Sequence, residues 1–477
     1  MNYEVVIGLE MHVELNTKTK AFCGCINEFG GAPNSHCCPV CVGLPGALPV
    51  VNDAAVNKTI MAGLATKCEI ANEFHFDRKN YFYPDLAKAY QISQDARPIC
   101  KNGYIEITNS AGQTKKIRIN RIHLEEDSGK LTHNYDGTSY IDYNRAGVPL
   151  IETVSEPDIR SAEEAILYLN ELKNIYKAIG VSECKMEQGM LRCDVNISLR
   201  EFGSKVYGTR TEMKNLNSFK AIERAINYEV QRQTEILNNG GKISQATLRW
   251  DDELGKNFEM RKKSDASDYR YFKEPDIYDI KISEERIKKL KESMPLLPSE
   301  IVKNLIEKYG LNNYDANLIA RDSVITNLFY DTVKFTNKPK QITNWITSEI
   351  NKRLNLSFDE DTVINIKPSQ LAGIIDNYDN NVISQPAARK LFDIVWEGSE
   401  DSIDSLIDKF NFRLSNDTTT LEKVVKEIID NNPKAVQDYK SGNSKAMAFF
   451  VGQTMKAMKG QANAGIVNDL IKKLLSE

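Results

Sequence analysis

Two groups of residues in this chain have the types and spacing to do chemistry. The first is Cys23-x-Cys25, followed after twelve residues by Cys38-x-x-Cys41. Two paired thiol knuckles offer four sulfurs, which suits a closed tetrahedral zinc site with no position left open for catalysis. Cys37 stands beside them as a candidate substitute ligand. The second group is spread over stretches in which polar and apolar residues alternate. Glu10, His12 and Glu14 share one side of the first stretch, and Arg121, His123 and Glu125 share one side of another. Arg192, Asp194 and Asn196 form a third polar face, and Arg210, Glu212 and Lys214 a fourth. The run Glu125-Glu126-Asp127 places three acids together, which is costly unless water or a cation neutralises them. Carboxylate-rich ligation with one imidazole suits Mg²⁺ or Mn²⁺ better than zinc. A metal of that kind is expected to bridge phosphates. Arg78, Lys79 and Lys88 interleave with Tyr81, Phe82, Tyr83 and Tyr90, a pattern that holds phosphates and stacks bases or, equally, forms a core strand with charged edges. Taken singly, each face also reads as the wet side of an amphipathic strand. Their joint presence favours chemistry, because neighbouring strands would line one cavity with acids, imidazoles and cations.

Strands must position these groups. From Tyr3 to Leu15 every odd residue is apolar, the period of a strand with one buried and one wet face. The same alternation returns from Met190 to Arg200, and strands are also expected around 104–108, 116–124 and 140–149. Helices are expected from Asn52 to Thr66, from Ser161, where Glu164 completes a capping-box spacing, to Gly180, and from Phe219 to about Leu237. Met294-Pro-Leu-Leu-Pro298 reads as a linker. Beyond it the periodicity is helical. The fold class is therefore α+β: an N-terminal domain over 1–293 built on a mostly antiparallel sheet with flanking helices, then two all-α domains over 299–400 and 401–477. From Lys434 onward seven lysines face three acids, so the last domain offers a basic helical contact for a phosphate backbone at Lys445, Lys456 and Lys459.

The totals bound what remains. A chain of 477 residues should hold several domains, since single cores rarely exceed roughly 250–300 residues. A net charge of −4 gives no global basic field, so any nucleic-acid contact must be local. No apolar run approaches a membrane span, and no signal or transit peptide is expected. All nine cysteines lie at or before Cys193 and all five histidines at or before His133, which puts the chemistry in the N-terminal half and favours a reducing, cytoplasmic setting. No phosphate-loop, dinucleotide-fold or nucleophile-elbow motif is present, so a nucleotide site would be of another type.

Seven further motifs run through the chain in order. They are Ile7-Gly-Leu-Glu-Met-His-Val-Glu14, Cys38-Pro-x-Cys-x-Gly-Leu-Pro-Gly46, Phe76-Asp-Arg-Lys-Asn-Tyr-Phe-Tyr-Pro-Asp85, Tyr90-Gln-Ile-Ser-Gln94, Ser155-Glu-Pro-Asp-Ile-Arg160, Lys214-Asn-Leu-Asn-Ser-Phe219 and Asp268-Tyr-Arg-Tyr-Phe272. The tail adds Lys445-Ala-Met-Ala-Phe-Phe-Val-Gly-Gln453 and Lys459-Gly-Gln-Ala-Asn463. With these motifs the chain resembles the B subunits of the aspartyl/glutamyl-tRNA amidotransferases over its whole length. The resemblance implies a three-subunit enzyme that converts Glu-tRNA(Gln) to Gln-tRNA(Gln), and often Asp-tRNA(Asn) to Asn-tRNA(Asn). It implies an amidase partner, the A subunit, that supplies ammonia from glutamine, and a small third partner, the C subunit. It implies ATP with Mg²⁺ for phosphorylating the side-chain carboxylate on the mischarged tRNA. It also implies a cradle-shaped N-terminal fold and a tail that holds the tRNA body. By carry-over, Glu10, His12 and Glu125 would hold Mg²⁺; Glu126, Asp194 and Glu212 are added from the shared polar face. Arg78, Lys79, Arg210 and Lys214 are candidates for phosphate or 3′-end contacts. Ser264, Ser267, Lys273, Ala448 and Ala464 depart from the family pattern. The four cysteines occur in only some members, so zinc rests on their spacing. The rival reading is a non-catalytic, zinc-containing tRNA-binding scaffold.

Overall fold

A computed structural model describes residues 3–134, 136–262, 268–354, 364–414, 418–441, 444–458 and 462–476. The chain divides into two units, Met1–Leu297 and Pro298–Glu477.

The first unit is built on a nine-stranded sheet. From one edge its strands run Lys256–Lys262, Ala246–Asp251, Thr211–Lys214, Leu191–Glu201, Tyr3–Glu14, Pro149–Ser155, Thr114–Glu126, Cys100–Thr108 and Glu69–Ile70. The opening strand is thus the central one. Every pairing is antiparallel except that of Thr211–Lys214 with Ala246–Asp251, so the sheet is mixed rather than wholly antiparallel. A parallel pair needs a crossover, and the Phe219–Asn238 helix supplies it.

Alternation sorts the opening strand as its sequence predicts. Ile7, Leu9, Met11 and Val13 are buried in the core, together with residues of the helices Asp53–Ala65, Ala162–Ala178 and Phe219–Asn238. Each such side chain stabilises the unit by about 1.5–3 kcal/mol. Glu10, His12 and Glu14 are left partly exposed between them. The helix starts are capped by Asn52, Ser161 and Ser218, each accepting a bond from a first-turn amide. The capping box at Ser161 is only half formed. Glu164 turns instead to the Arg160 amide at 2.8 Å and to Lys115 at 2.7 Å.

A small three-stranded sheet, Phe272–Lys273, Asp77–Asn80 and Tyr90–Ser93, lies against the end of the Thr114–Glu126 strand. The second unit is helical, with two cores. One runs from Leu305 through Ile407 and the other joins Leu421, Val425, Phe450, Val467 and Ile471. Gly373 lets the Pro368–Asp379 helix approach Ile403 closely, which carries the first core past residue 400. Among the described residues no helix is long and apolar enough to cross a membrane.

Candidate functional site

Sheet register decides which polar groups meet. His12 faces Glu152 on one neighbouring strand and Arg192 on the other, and Glu152 faces His123. One row therefore reads His123, Glu152, His12, Arg192 across four strands. Glu125 projects from the same face as His123 and joins them. His12 Nε2 lies 3.6 Å from Glu125 Oε1 and 3.4 Å from Glu152 Oε2. His123 Nε2 lies 3.6 Å from Glu125 Oε2 and 3.3 Å from Glu152 Oε2. Two imidazoles and two carboxylates thus interlock. Burial opposes charge on all four, but their mutual attraction prevails. The rings, His123 foremost, hold Glu125 and Glu152 low; Glu152 first among the carboxylates raises His12 and takes His123 up to about 9. Ser93 Oγ donates to Glu125 Oε2 at 3.1 Å and fixes that carboxylate.

One step along the strands is a second cluster. Glu10 faces Asp194, and Glu212 faces Asn196. One carboxylate oxygen from each of Glu10, Asp194 and Glu212 lies within 4.8 Å of the others. Burial, then the charges of Glu152, Asp194 and Glu212, raise the Glu10 carboxyl above its ordinary range. Lys214 pairs with Asp194 and lies 3.1 Å from Glu212. Asn196 donates to Glu10 at 2.9 Å and Thr247 to Glu212 at 3.1 Å, so both acids are oriented by neighbouring strands.

Either cluster has donors suited to a hard divalent cation. The ligand atoms of His12, Glu125 and Glu152 also fall within 4.8 Å of one another, and His123 Nδ1 is buried without a hydrogen-bond partner among the described residues. The residues present fit magnesium, with His12, Glu125 and Glu152 as one donor set and Glu10, Asp194 and Glu212 as the other.

The structure redistributes several of the residues expected here. Glu10, grouped with His12 and Glu125 in the expectation, sits in the second cluster. Glu126 leaves the site altogether, since consecutive strand residues point to opposite faces; it pairs with Lys88 and accepts from the Ile92 amide at 2.9 Å. Arg78 is held by the buried Glu274 at 2.7 and 2.9 Å and by Asp276 at 3.0 Å, over the Tyr90 ring. Lys79 lies 4.9 Å above the Tyr269 ring, and Arg210 is exposed just before its strand. Lys456 is exposed on the Ser444–Ala457 helix. Lys459, Ser264 and Ser267 lie outside the described residues, as does the side chain of Lys445. Sequence reasoning missed Glu152, whose only signal was alternation in Pro149-Leu-Ile-Glu-Thr-Val-Ser155. Asp127, read there only as one of three consecutive acids, is buried and accepts from Arg145 at 2.7 Å and from Arg192 at 2.9 Å at the flank of His12.

The cysteines do assemble. Sulfurs of Cys23, Cys25, Cys38 and Cys41 lie within 4.8 Å of one another, with Cys38 and Cys41 at 3.9 Å. A tetrahedron with bonds of about 2.3 Å has edges near 3.8 Å, so the set fits zinc. The Cys38 amide donates to Cys41 Sγ at 3.1 Å. Cys37 points elsewhere, to Asn144 Oδ1 at 3.9 Å, and is not a substitute ligand.

Residues 5–288 match the family model described as the GatB/GatE catalytic domain, and residues 327–475 match the GatB domain. Proteins named as the B subunits of aspartyl/glutamyl-tRNA(Asn/Gln) amidotransferases are similar over full length. That of Caldicellulosiruptor saccharolyticus is 50% identical, with 100% of each chain covered. Those of Lachnospira eligens and Thermodesulfovibrio yellowstonii are 48% and 45% identical, with 99% and 100% of each chain covered. With both metal-type clusters inside the first matched region, the chain belongs to the family of aspartyl/glutamyl-tRNA(Asn/Gln) amidotransferase B subunits.

Proposed function

We propose that this chain is the carboxylate-activating, tRNA-binding member of its complex. In this reading it uses ATP to phosphorylate the side-chain carboxylate of Glu-tRNA(Gln), Asp-tRNA(Asn) or both. The observation that carries the reading is the pair of acid clusters on one polar sheet face, in register on adjacent strands. A pure binding surface has no need to hold Glu10, Glu125, Glu152, Asp194 and Glu212 so close together, against their mutual repulsion.

A carboxylate is a poor electrophile because its oxygens leave badly. Transfer of the γ-phosphoryl group makes one oxygen a leaving group: the bond from the γ-phosphorus to ADP breaks as a new phosphorus–oxygen bond forms. Ammonia then attacks the carbonyl carbon, phosphate departs and a proton is released, giving the amide. Phosphoryl transfer asks the protein mainly for positioning and positive charge. Magnesium, when bound, neutralises phosphate oxygens. His12, Glu125 and Glu152, with Ser93 beside them, and Glu10, Asp194 and Glu212, with Asn196 and Thr247 beside them, would hold it. Lys214 adds a positioned ammonium at the edge of the second cluster. Ammonia would come from the amidase partner, with the small third partner completing the assembly. The basic helical tail, with Lys445, Lys456 and Lys459, would hold the tRNA. Zinc at the four cysteines would be structural.

The test is glutamine-dependent conversion of Glu-tRNA(Gln) and Asp-tRNA(Asn) by the reconstituted complex, with ADP measured in parallel. Wild type should consume ATP only with mischarged tRNA present, and Glu10→Ala and His12→Ala should not. Full activity in both variants would remove the metal assignment. No ATP consumption by wild type would leave the scaffold reading instead.

A further inference from the structure

Lys20 is fully buried, at 0% exposure, which is unusual for a lysine. Its Nζ donates to the carbonyls of His36 and Ala146 at 2.7 Å each, approaches the Tyr143 carbonyl at 3.4 Å, and lies 3.8 Å from Cys41 Sγ. Carbonyls satisfy the ammonium's hydrogens but not its charge. A buried ammonium is costly unless an anion accompanies it. Among the described residues no carboxylate lies within ion-pair distance of Lys20, and the neighbouring Glu126 is taken by Lys88. Four neutral thiols would leave this charge uncompensated. Four thiolates around one divalent zinc ion carry net negative charge and supply the missing counterion.

The carbonyls it grips matter as much. Tyr143 and Ala146 belong to the turn that presents Arg145, and Arg145 holds Asp127, which holds Arg192 beside His12. The backbone repeats the link: the Ala21 amide donates to the Gly147 carbonyl at 2.8 Å and the Gly147 amide to the Asp127 carbonyl at 3.0 Å. Gly147 adopts φ +84°, and a side chain there would meet Cys41 Cβ at 3.3 Å and Lys20 Cδ at 3.5 Å. Cysteine loop, lysine and turn are packed without slack.

We infer that Lys20 is a positioning residue that takes the metal-loaded four-cysteine centre as its counterion and couples that centre to the Tyr143–Gly147 turn, which reaches the His12 cluster through Arg145, Asp127 and Arg192. The inference rests on zinc occupying the cysteines, and its test separates the two. Zinc content of the full-length protein purified in reducing buffer is measured first. Near one equivalent is expected; a metal-free wild type would refute the zinc reading and this inference with it. Zinc release to a colorimetric chelator is then followed. Lys20→Met should release zinc about 10–100-fold faster than wild type, with Lys20→Arg in between. Equal rates in zinc-loaded wild type and Lys20→Met would overturn the inference while leaving zinc in place. Wild type alone gives a second answer, independent of whether the variants fold. Chelation should raise amide hydrogen exchange at residues 143–148 as well as 22–42, and a change confined to 22–42 would refute the coupling.

Discussion

Arg78 gives a sharp test of the division between chemistry and architecture. Its type and setting, in Phe76-Asp-Arg-Lys-Asn80, suit a phosphate contact, yet the Nε and Nη2 edge of its guanidinium is already engaged. Glu274, at 0% exposure, takes two hydrogen bonds and Asp276 a third, while the plane stacks 4.1 Å from the Tyr90 centroid. Arg78→Met leaves the Glu274 carboxylate buried and uncompensated, a loss that costs about 3–5 kcal/mol for a buried pair. Arg78 keeps 18% of its exposure and Asp276 is more than a third exposed, so about 3 kcal/mol is the better figure. For a unit of this size that is a fall in melting temperature of about 6–12 °C. Differential scanning calorimetry of the purified chain checks it. The double variant Arg78→Met with Glu274→Leu should recover most of the loss, because a charge-free pair carries no desolvation cost. The concentration of ATP needed for half-maximal activity should move little in folded Arg78→Met. Melting within about 2 °C of wild type together with a large rise in that ATP requirement would refute the structural role and return Arg78 to the phosphate site.

Glu125 and Glu126 should differ in function: Glu125→Gln should stop ATP consumption and, by taking a buried carboxylate from between His12 and His123, also lower the melting temperature. Glu126→Gln should keep ATP turnover and lose about 2 kcal/mol of stability through Lys88, as thermal melting would show. Glu152→Ala should be as inactive as His12→Ala in the conversion assay, and an active Glu152→Ala would break the four-residue cluster as a functional unit. Gly147→Ala should lower stability by about 1–2 kcal/mol, since alanine resists φ +84° and its methyl meets Cys41. Urea titration of the variant against wild type measures that loss.

Period-two alternation told which residues share the polar face of each strand, and it did so correctly for Glu10, His12, His123, Asp194 and Glu212. It could not say which strands were neighbours, and that is why the expected trio of Glu10, His12 and Glu125 divides between two clusters. Register aligns Glu10 with Asp194 and His12 with Glu152, and such pairing is fixed by long-range hydrogen bonds with no local trace. Glu126 was a failure of a different kind. The same alternation that admitted Glu125 excluded its neighbour, so a stricter use of the rule would have removed it. The cysteines were legible because four sulfurs on two short knuckles leave the chain little choice. Lys20 and Arg78 mark the opposite limit. A lysine and an arginine normally read as surface, and both are recruited inward by partners far along the chain: Ala146 lies 126 residues from Lys20, and Glu274 lies 196 from Arg78. What local pattern reveals here is the chemistry each strand can offer. What only the folded chain reveals is which charges are already committed, and those commitments separate the residues free to meet phosphate from those that hold the walls in place.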